Sequence, residues 1–357
     1  MMKNSIVALI VSGLLFVSCA RETYVAPGSE KVRYEGRVAL SDTAAVFYWP
    51  GNSVETRFRG TELYALMRDG TGKNYLNVIV DEDSIIIFRP DTLKKWCPLV
   101  TGLKDTVHTV ELFMRTAFNP FWFYGFKTDK KGEFLPLPPP AVRKMEFYGN
   151  SITEGASVHD YSGNDRWDST FTDNYVAYGA VTARHYHADY TCIARGGIGL
   201  MVSWYPLIMP EMWDRLNPND PESKWDFSKY TPDIVVVNLF QNDAPLFQHP
   251  EHPQIVARFH GKIPGEEEIV AAYQDFIRKI RGVYPRARII CTLGSMNAVR
   301  EDRPWRGYVK KAVEGMHDPD IYYYFFFYKG GLTHPQEPEQ RRMADSLINF
   351  IDKHIKW

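Results

Sequence analysis

The run Leu135 to Pro140, reading LPLPPP, divides this 357-residue chain into two parts with different hydrophobic rhythms. Successive prolines lock φ and remove backbone donors, so the stretch reads as a stiff joint rather than part of a helix or a central strand. Before it, from about Val32 to Lys127, short alternating runs are separated by Pro50-Gly51, Asp69-Gly70 and Asn119-Pro120. The strand candidates are 44–48, 55–58, 62–67, 75–80, 84–88, 108–114 and 122–126, with no convincing helix among them. That pattern predicts a small sandwich or jelly roll. After the joint, apolar runs at 144–148, 190–194, 233–239, 287–293 and 321–327 alternate with helical periodicity at 173–187, 266–284, 305–316 and 337–354. Five such strands with helices between them predict a parallel α/β sheet covered on both faces. The expected organisation is a leader over 1–19, a tether over 20–30, an all-β domain over 31–134, the hinge over 135–142 and an α/β domain over 143–357.

Net charge is -1, with Lys and Arg scattered along the chain, which argues against nucleic acid or anionic lipid as the main partner. Aromatic residues make up 14% of the chain, a surplus that suits a protein handling sugars. At the N-terminus, Lys3 precedes an apolar stretch from Ile6 to Val17 and then Ser18-Cys19-Ala20. The stretch is short for a bilayer span and sits where a secretory signal belongs. Small residues around a single cysteine resemble a bacterial lipobox, with Phe16 in place of the usual Leu. The resemblance implies that Cys19 is lipidated, anchoring the protein in a bacterial cell envelope; simple cleavage and secretion is the other reading. Cys192 and Cys291 lie in apolar strand-like runs and read as buried thiols. No CxxC pair or histidine cluster with ligand spacing is present, so no metal site is expected.

Parallel sheets bind ligands beyond the carboxyl ends of their strands, so the residues there carry the functional argument. The first strand runs into Gly149-Asn150-Ser151 and then Ile152-Thr153-Glu154-Gly155. A serine at such a turn is either a helix cap or a nucleophile beside free helical N–H groups. After the second strand comes Arg195-Gly196-Gly197-Ile198-Gly199, and after the third Gln241-Asn242-Asp243. The fifth is followed by Gly331-Leu332-Thr333-His334-Pro335. Each piece alone has an ordinary structural explanation as a turn or a cap. Their joint placement at the strand ends of one sheet favours catalysis.

In that order, the serine, glycine, asparagine and late histidine resemble the SGNH or GDSL hydrolase superfamily. The β-rich front, the proline hinge and the GNSIT block are similar to carbohydrate esterase family 2. WPGNSVETRFRG at 49–60, HTVELFMRT at 108–116 and WDFSKYTPDIVVVNLFQND at 225–243 add to the resemblance. It implies a flavodoxin-like three-layer hydrolase domain preceded by a jelly roll. It also implies Ser151 as nucleophile, His334 as general base, and an oxyanion hole formed by the Ser151 and Gly197 backbone N–H groups with the Asn242 amide. No cofactor is implied.

This chain departs from the family pattern twice. Asn150 stands where an aspartate is usual, and no carboxylate lies between Asp320 and Glu337, so the local D-x-x-H acid before His334 is missing. The expectation is a Ser-His dyad, with a backbone carbonyl near Gly331 or Leu332 holding the imidazole. A remote carboxylate such as Glu154 or Asp243, or a weakly active protein, are the other readings. The expected activity is removal of acetyl groups from plant polysaccharides of the xylan or glucomannan type. Trp204, Tyr205, Trp213 and Trp225 are candidates for stacking on sugar rings. A general short-chain acylhydrolase, or a carbohydrate-binding protein with weak activity, are the alternatives.

Overall fold

The computed structural model describes residues 23–166 and 168–357. Cys19 and the leader lie outside them. The front of the chain forms two six-stranded antiparallel sheets. One runs in the order Val38–Leu40, Ala45–Phe47, Phe121–Thr128, Leu63–Asp69, Lys95–Val100, with Tyr24–Val25 also paired to Phe121–Thr128; the other runs Glu133–Leu135, Ser53–Gly60, Thr106–Met114, Leu76–Val80, Ser84–Phe88, with Val32–Glu35 also paired to Ser53–Gly60. In Leu63–Asp69 every second residue is buried, the alternation of a strand with one face on a core. Phe47, Phe58, Leu112, Phe121, Phe123 and Phe126 fill the space between the sheets. The strand Lys95–Val100 was not anticipated. Its run of Lys95, Trp96, Cys97 and Pro98 lacks a clean pattern because it is an edge strand, where proline is tolerated.

The second sheet also has something on its outer face. All five residues of Leu76–Val80 are buried, and Ile79 and Phe113 join a cluster with Met145, Phe147 and Tyr190 of the α/β part. Arg37 crosses the same boundary. Its fully buried guanidinium contacts Glu146 Oε1 at 2.8 Å and Tyr148 Oη at 2.9 Å. Trp49 Nε1 donates to the Leu216 carbonyl at 2.8 Å, and Arg115 pairs with Asp173 at 2.9 Å. Buried charges of this kind are tolerated only when paired and hydrogen-bonded, so they fix how the two layers sit together.

The α/β part holds a five-stranded parallel sheet in the order Asp189–Ala194, Lys144–Gly149, Ile234–Asn238, Arg288–Leu293, Ile321–Phe325. In chain order that is 2-1-3-4-5, the flavodoxin-like arrangement, whose switch point lies at the first strand. Ser151 follows that strand directly. The helices Glu266–Val283, Trp305–Glu314 and Glu337–His354 lie where periodicity placed them. The segment 173–187 does not form one helix. It splits into a 3-10 turn, Asn174–Val176, and a helix, Tyr178–His185, with Ala177 extended between them. The polar side chains there bond elsewhere: Asp173 caps Tyr175 N, and Asn174 Nδ2 donates to the Thr153 carbonyl at 3.0 Å. Cys97, Cys192 and Cys291 are buried free thiols.

Candidate active site

Asn150, not Ser151, caps the short helix Ser151–Glu154: its Oδ1 accepts from Ile152 N at 3.0 Å. The serine thereby occupies the first helical turn with its hydroxyl free for another partner. A polar, turn-forming side chain is what this position requires, and asparagine meets it. Gly149 is needed just before, because a Cβ there would lie 2.0 Å from Thr153 Oγ1. The last helix is tied to this turn through Gln340, whose Nε2 donates to the Ile152 carbonyl at 3.0 Å.

Ser151 Oγ lies 2.7 Å from His334 Nε2. On the other side of the ring, His334 Nδ1 lies 2.7 Å from Asp165 Oδ2. The His334 backbone N–H also donates to the same carboxylate, at 3.0 Å to Oδ1 and 2.8 Å to Oδ2. Partial burial pushes the Asp165 carboxyl up, but the His334 hydrogen bonds and the nearby Lys329 ammonium outweigh it. The carboxyl is held below its usual value and stays ionised. The expected dyad with a carbonyl orienter is thus corrected: a carboxylate occupies Nδ1. Neither Glu154 nor Asp243 supplies it. Asp243 is buried and accepts from Leu200, Met201 and Val202 N–H groups at 2.9, 2.6 and 3.1 Å, holding the loop after the glycine block. Glu154 lies beside Gly196 and Arg195 instead.

Asp165 arrives on the loop between Ser157 and Thr172, far from His334 in sequence. It takes a left-handed φ of 52°, a conformation that aspartate adopts more readily than most residues. Asp160 shapes the loop. Its solvent-inaccessible carboxylate accepts from Arg166 N at 2.7 Å and Arg166 Nη2 at 2.8 Å, and from Ser162 N at 3.0 Å. Gln336, two residues past His334, donates to the Asp160 carbonyl at 2.8 Å. A carboxylate in a Ser-Gly-Asn-Asp turn carries no signal of its own, since such a stretch reads as a solvated loop.

Most of the remaining predicted groups face one cavity of about 560 Å³. Ser151, Gly197, Trp204, Tyr205, Asn242 and His334 all line it. Gly197 has φ 79°, and a Cβ on it would meet the Tyr205 ring at 3.1 Å, so both conformation and space require glycine. Phe240 turns the chain out of the third strand at a left-handed φ of 74°, rare for an aromatic residue, and Asn242 follows at the cavity wall. Trp204 Nε1 donates to Asn242 Oδ1 at 3.0 Å, while Asn242 Nδ2 donates to the Ile198 carbonyl at 2.7 Å. Because an indole N–H can only donate, the amide's orientation is chemically determined, and one Nδ2 hydrogen is left over. Trp213 and Trp225 do not reach the cavity. Trp213 is buried against Tyr148 and Phe276, and Trp225 lies under the Arg37 guanidinium. Met296, Asn297, Arg303 and Trp305 line the cavity from the fourth strand's connection. They escaped sequence reasoning because no motif marks that connection.

Fold and site together define a serine hydrolase class built on a flavodoxin-order sheet. The GDSL-like Lipase/Acylhydrolase family matches residues 147–337, and Carbohydrate esterase 2 N-terminal matches residues 34–138. The chain belongs to the GDSL-like lipase/acylhydrolase family and, within it, to the family 2 carbohydrate esterases. The cellulase/esterase CelE of Acetivibrio thermocellus is 31% identical over 340 residues, covering 91% of this chain and 40% of that protein. This chain therefore spans less than half the length of that relative. An acetylxylan esterase / glucomannan deacetylase of Cellvibrio japonicus is 23% identical over 371 residues, 98% of each chain. A solved family two carbohydrate esterase from Clostridium thermocellum, in complex with cellohexaose, superposes with a TM-score of 0.80 at 30% identity, covering 90% of this chain and 98% of that one.

Proposed function

We propose that this protein is a serine esterase that removes acetyl groups from plant polysaccharides of the xylan or glucomannan type. The observation that carries the reading is the relay Ser151 Oγ, His334 Nε2, His334 Nδ1, Asp165 Oδ2, with 2.7 Å at each end, opening onto a cavity. His334 takes the Ser151 proton as the hydroxyl attacks the ester carbonyl. Asp165 holds Nδ1 as the protonated nitrogen, so Nε2 is free to accept, and its charge stabilises the imidazolium that forms. The carbonyl oxygen, now negative, is met by the Ser151 and Gly197 N–H groups and the spare Asn242 Nδ2 hydrogen. His334 then protonates the departing sugar hydroxyl, and water activated by the same ring releases acetate from Ser151. The cavity gives far more room than an acetyl group needs, which leaves space for the sugar, with Trp204 half-exposed at its wall. Trp204 and Tyr205 serve as its aromatic faces.

The test is acetate release from acetylated xylan and glucomannan, set against triglyceride hydrolysis. The reading requires glycan deacetylation lost in Ser151→Ala; activity surviving that change, or a preference for triglyceride, overturns it. Cys19 lipidation belongs to the same proposal. Labelled fatty acid should enter the wild-type protein in a bacterial host and be absent from Cys19→Ala, and equal labelling of both removes the anchor.

A further inference from the structure

Beside the catalytic cavity lies a second one, of about 290 Å³, which the mechanism above does not use. The two share a wall made by Gly196 and Tyr205. One side of the second cavity comes from the β-rich part of the chain, through Tyr48 and Phe118. The other comes from the hydrolase sheet, through Glu154, Arg195 and Asn219.

Its chemistry is mixed in a specific way. Phe118 is 45% exposed and lines this cavity, so its ring is available as an apolar face. The Arg195 guanidinium lies 4.9 Å from the Tyr205 ring centroid and donates to Asn219 Oδ1 at 3.0 Å, so it is held in place at the rim. Glu154 sits three residues after Ser151 on the same short helix, so one helical turn carries both the nucleophile of the first cavity and a lining carboxyl of the second. Burial pushes its carboxyl up to about 7, so near neutral pH it both donates and accepts hydrogen bonds. A guanidinium and a carboxyl of opposite tendency, flanked by aromatic faces, do not select an anion or a cation. They suit a neutral polyol with an apolar ring face.

We propose that this cavity is a second carbohydrate subsite, holding an uncharged pyranose unit of the same glycan chain next to the esterified unit in the catalytic cavity. It rests on the glycan-ester reading above and adds that the β-rich part takes part in substrate binding. The two cavities lie side by side on either face of Gly196 and Tyr205, and that adjacency is the reason for assigning both to one glycan chain rather than to separate ligands. Phe118 provides a stacking face, and Glu154 and Arg195 meet ring hydroxyls.

The experiment compares kcat/KM on acetylated xylo- or manno-oligosaccharides of three or more units with kcat/KM on p-nitrophenyl acetate, in wild type, Phe118→Ala and Phe118→Tyr. The ratio of the two should fall about 10-fold in Phe118→Ala and return to within twofold of wild type in Phe118→Tyr. An unchanged ratio in Phe118→Ala, or an equal fall on both substrates, overturns the subsite. If wild type hydrolyses p-nitrophenyl acetate but none of the oligosaccharides, the glycan-ester reading fails first, and the subsite fails with it.

Discussion

His334 and Asp165 are 169 positions apart in the chain, yet Nδ1 of one lies 2.7 Å from Oδ2 of the other, and the His334 backbone N–H binds the same carboxylate. Main chain and side chain of the histidine are gripped together, so Asp165 sets both where the ring sits and which nitrogen carries the proton. Asp165→Asn should therefore lower kcat about 10^2- to 10^4-fold with KM little changed, because an amide can present the wrong partner to Nδ1. Steady-state kinetics on p-nitrophenyl acetate reads this directly. A loss below threefold would show that the ring is held by other contacts.

Asp160 acts one step further out. Its carboxylate binds the backbone and side chain of Arg166, the residue next to Asp165, and the Arg166 bonds hold the Asp160 carboxyl far below its usual value. Asp160→Asn weakens those charge-assisted bonds and should lower kcat ~10-fold through a displaced Asp165, with thermal stability near wild type. In the double variant with Asp165→Asn the second change should add almost nothing, since both act through one contact. Additive losses would assign Asp160 a separate role.

Trp204 and Asn242 form a second such pair. On the proposed mechanism Asn242→Ala removes an oxyanion donor and should reduce kcat by roughly 10^2–10^3. Trp204→Phe keeps the aromatic face but loses the indole N–H that sets the amide. A fall of ~5- to 30-fold in kcat is expected there, and none when Asn242 is already alanine. Kinetics of the two single variants and the double variant gives the coupling.

Glu154 makes stability depend on pH. Its folded pKa of about 7 exceeds the unfolded value of about 4.3, so between these the native state holds the proton more tightly and stability falls as pH rises. Below the unfolded value both states are protonated and the penalty vanishes. Glu154→Gln, neutral throughout, should be more stable than wild type by about 1–3 kcal/mol at pH 8, with the gap closing toward pH 4. Melting temperatures at the two pH values measure it, and an equal gap at both would rule out ionisation as the cause.

Both parts of the fold were legible in the residues because each has a periodic signature. Alternation such as that of Leu63–Asp69 and the apolar runs of the parallel strands arise from burial on one face or on two, which leaves a mark at every position. Ser151, Gly197, Asn242 and His334 were legible for a related reason. A parallel sheet brings all its strand ends to one edge, so residues following strands converge without further information. The same argument did not sort the aromatic residues. Trp204 and Tyr205 face the cavity, while Trp213 packs inward and Trp225 lies half-buried against Arg37, and no local pattern separates an indole in the core from one at a rim.

By itself, then, the sequence determined the two-part organisation, the five parallel strands, the strand-end groups of the candidate site and the question of what partners His334. Only the tertiary structure decided which partner. Asp165 reaches the histidine because Asp160, Arg166 and Gln336 hold a polar loop against the start of the last helix. Contacts of that kind depend on where a loop closes in space, and an irregular loop has no period from which its path could be read.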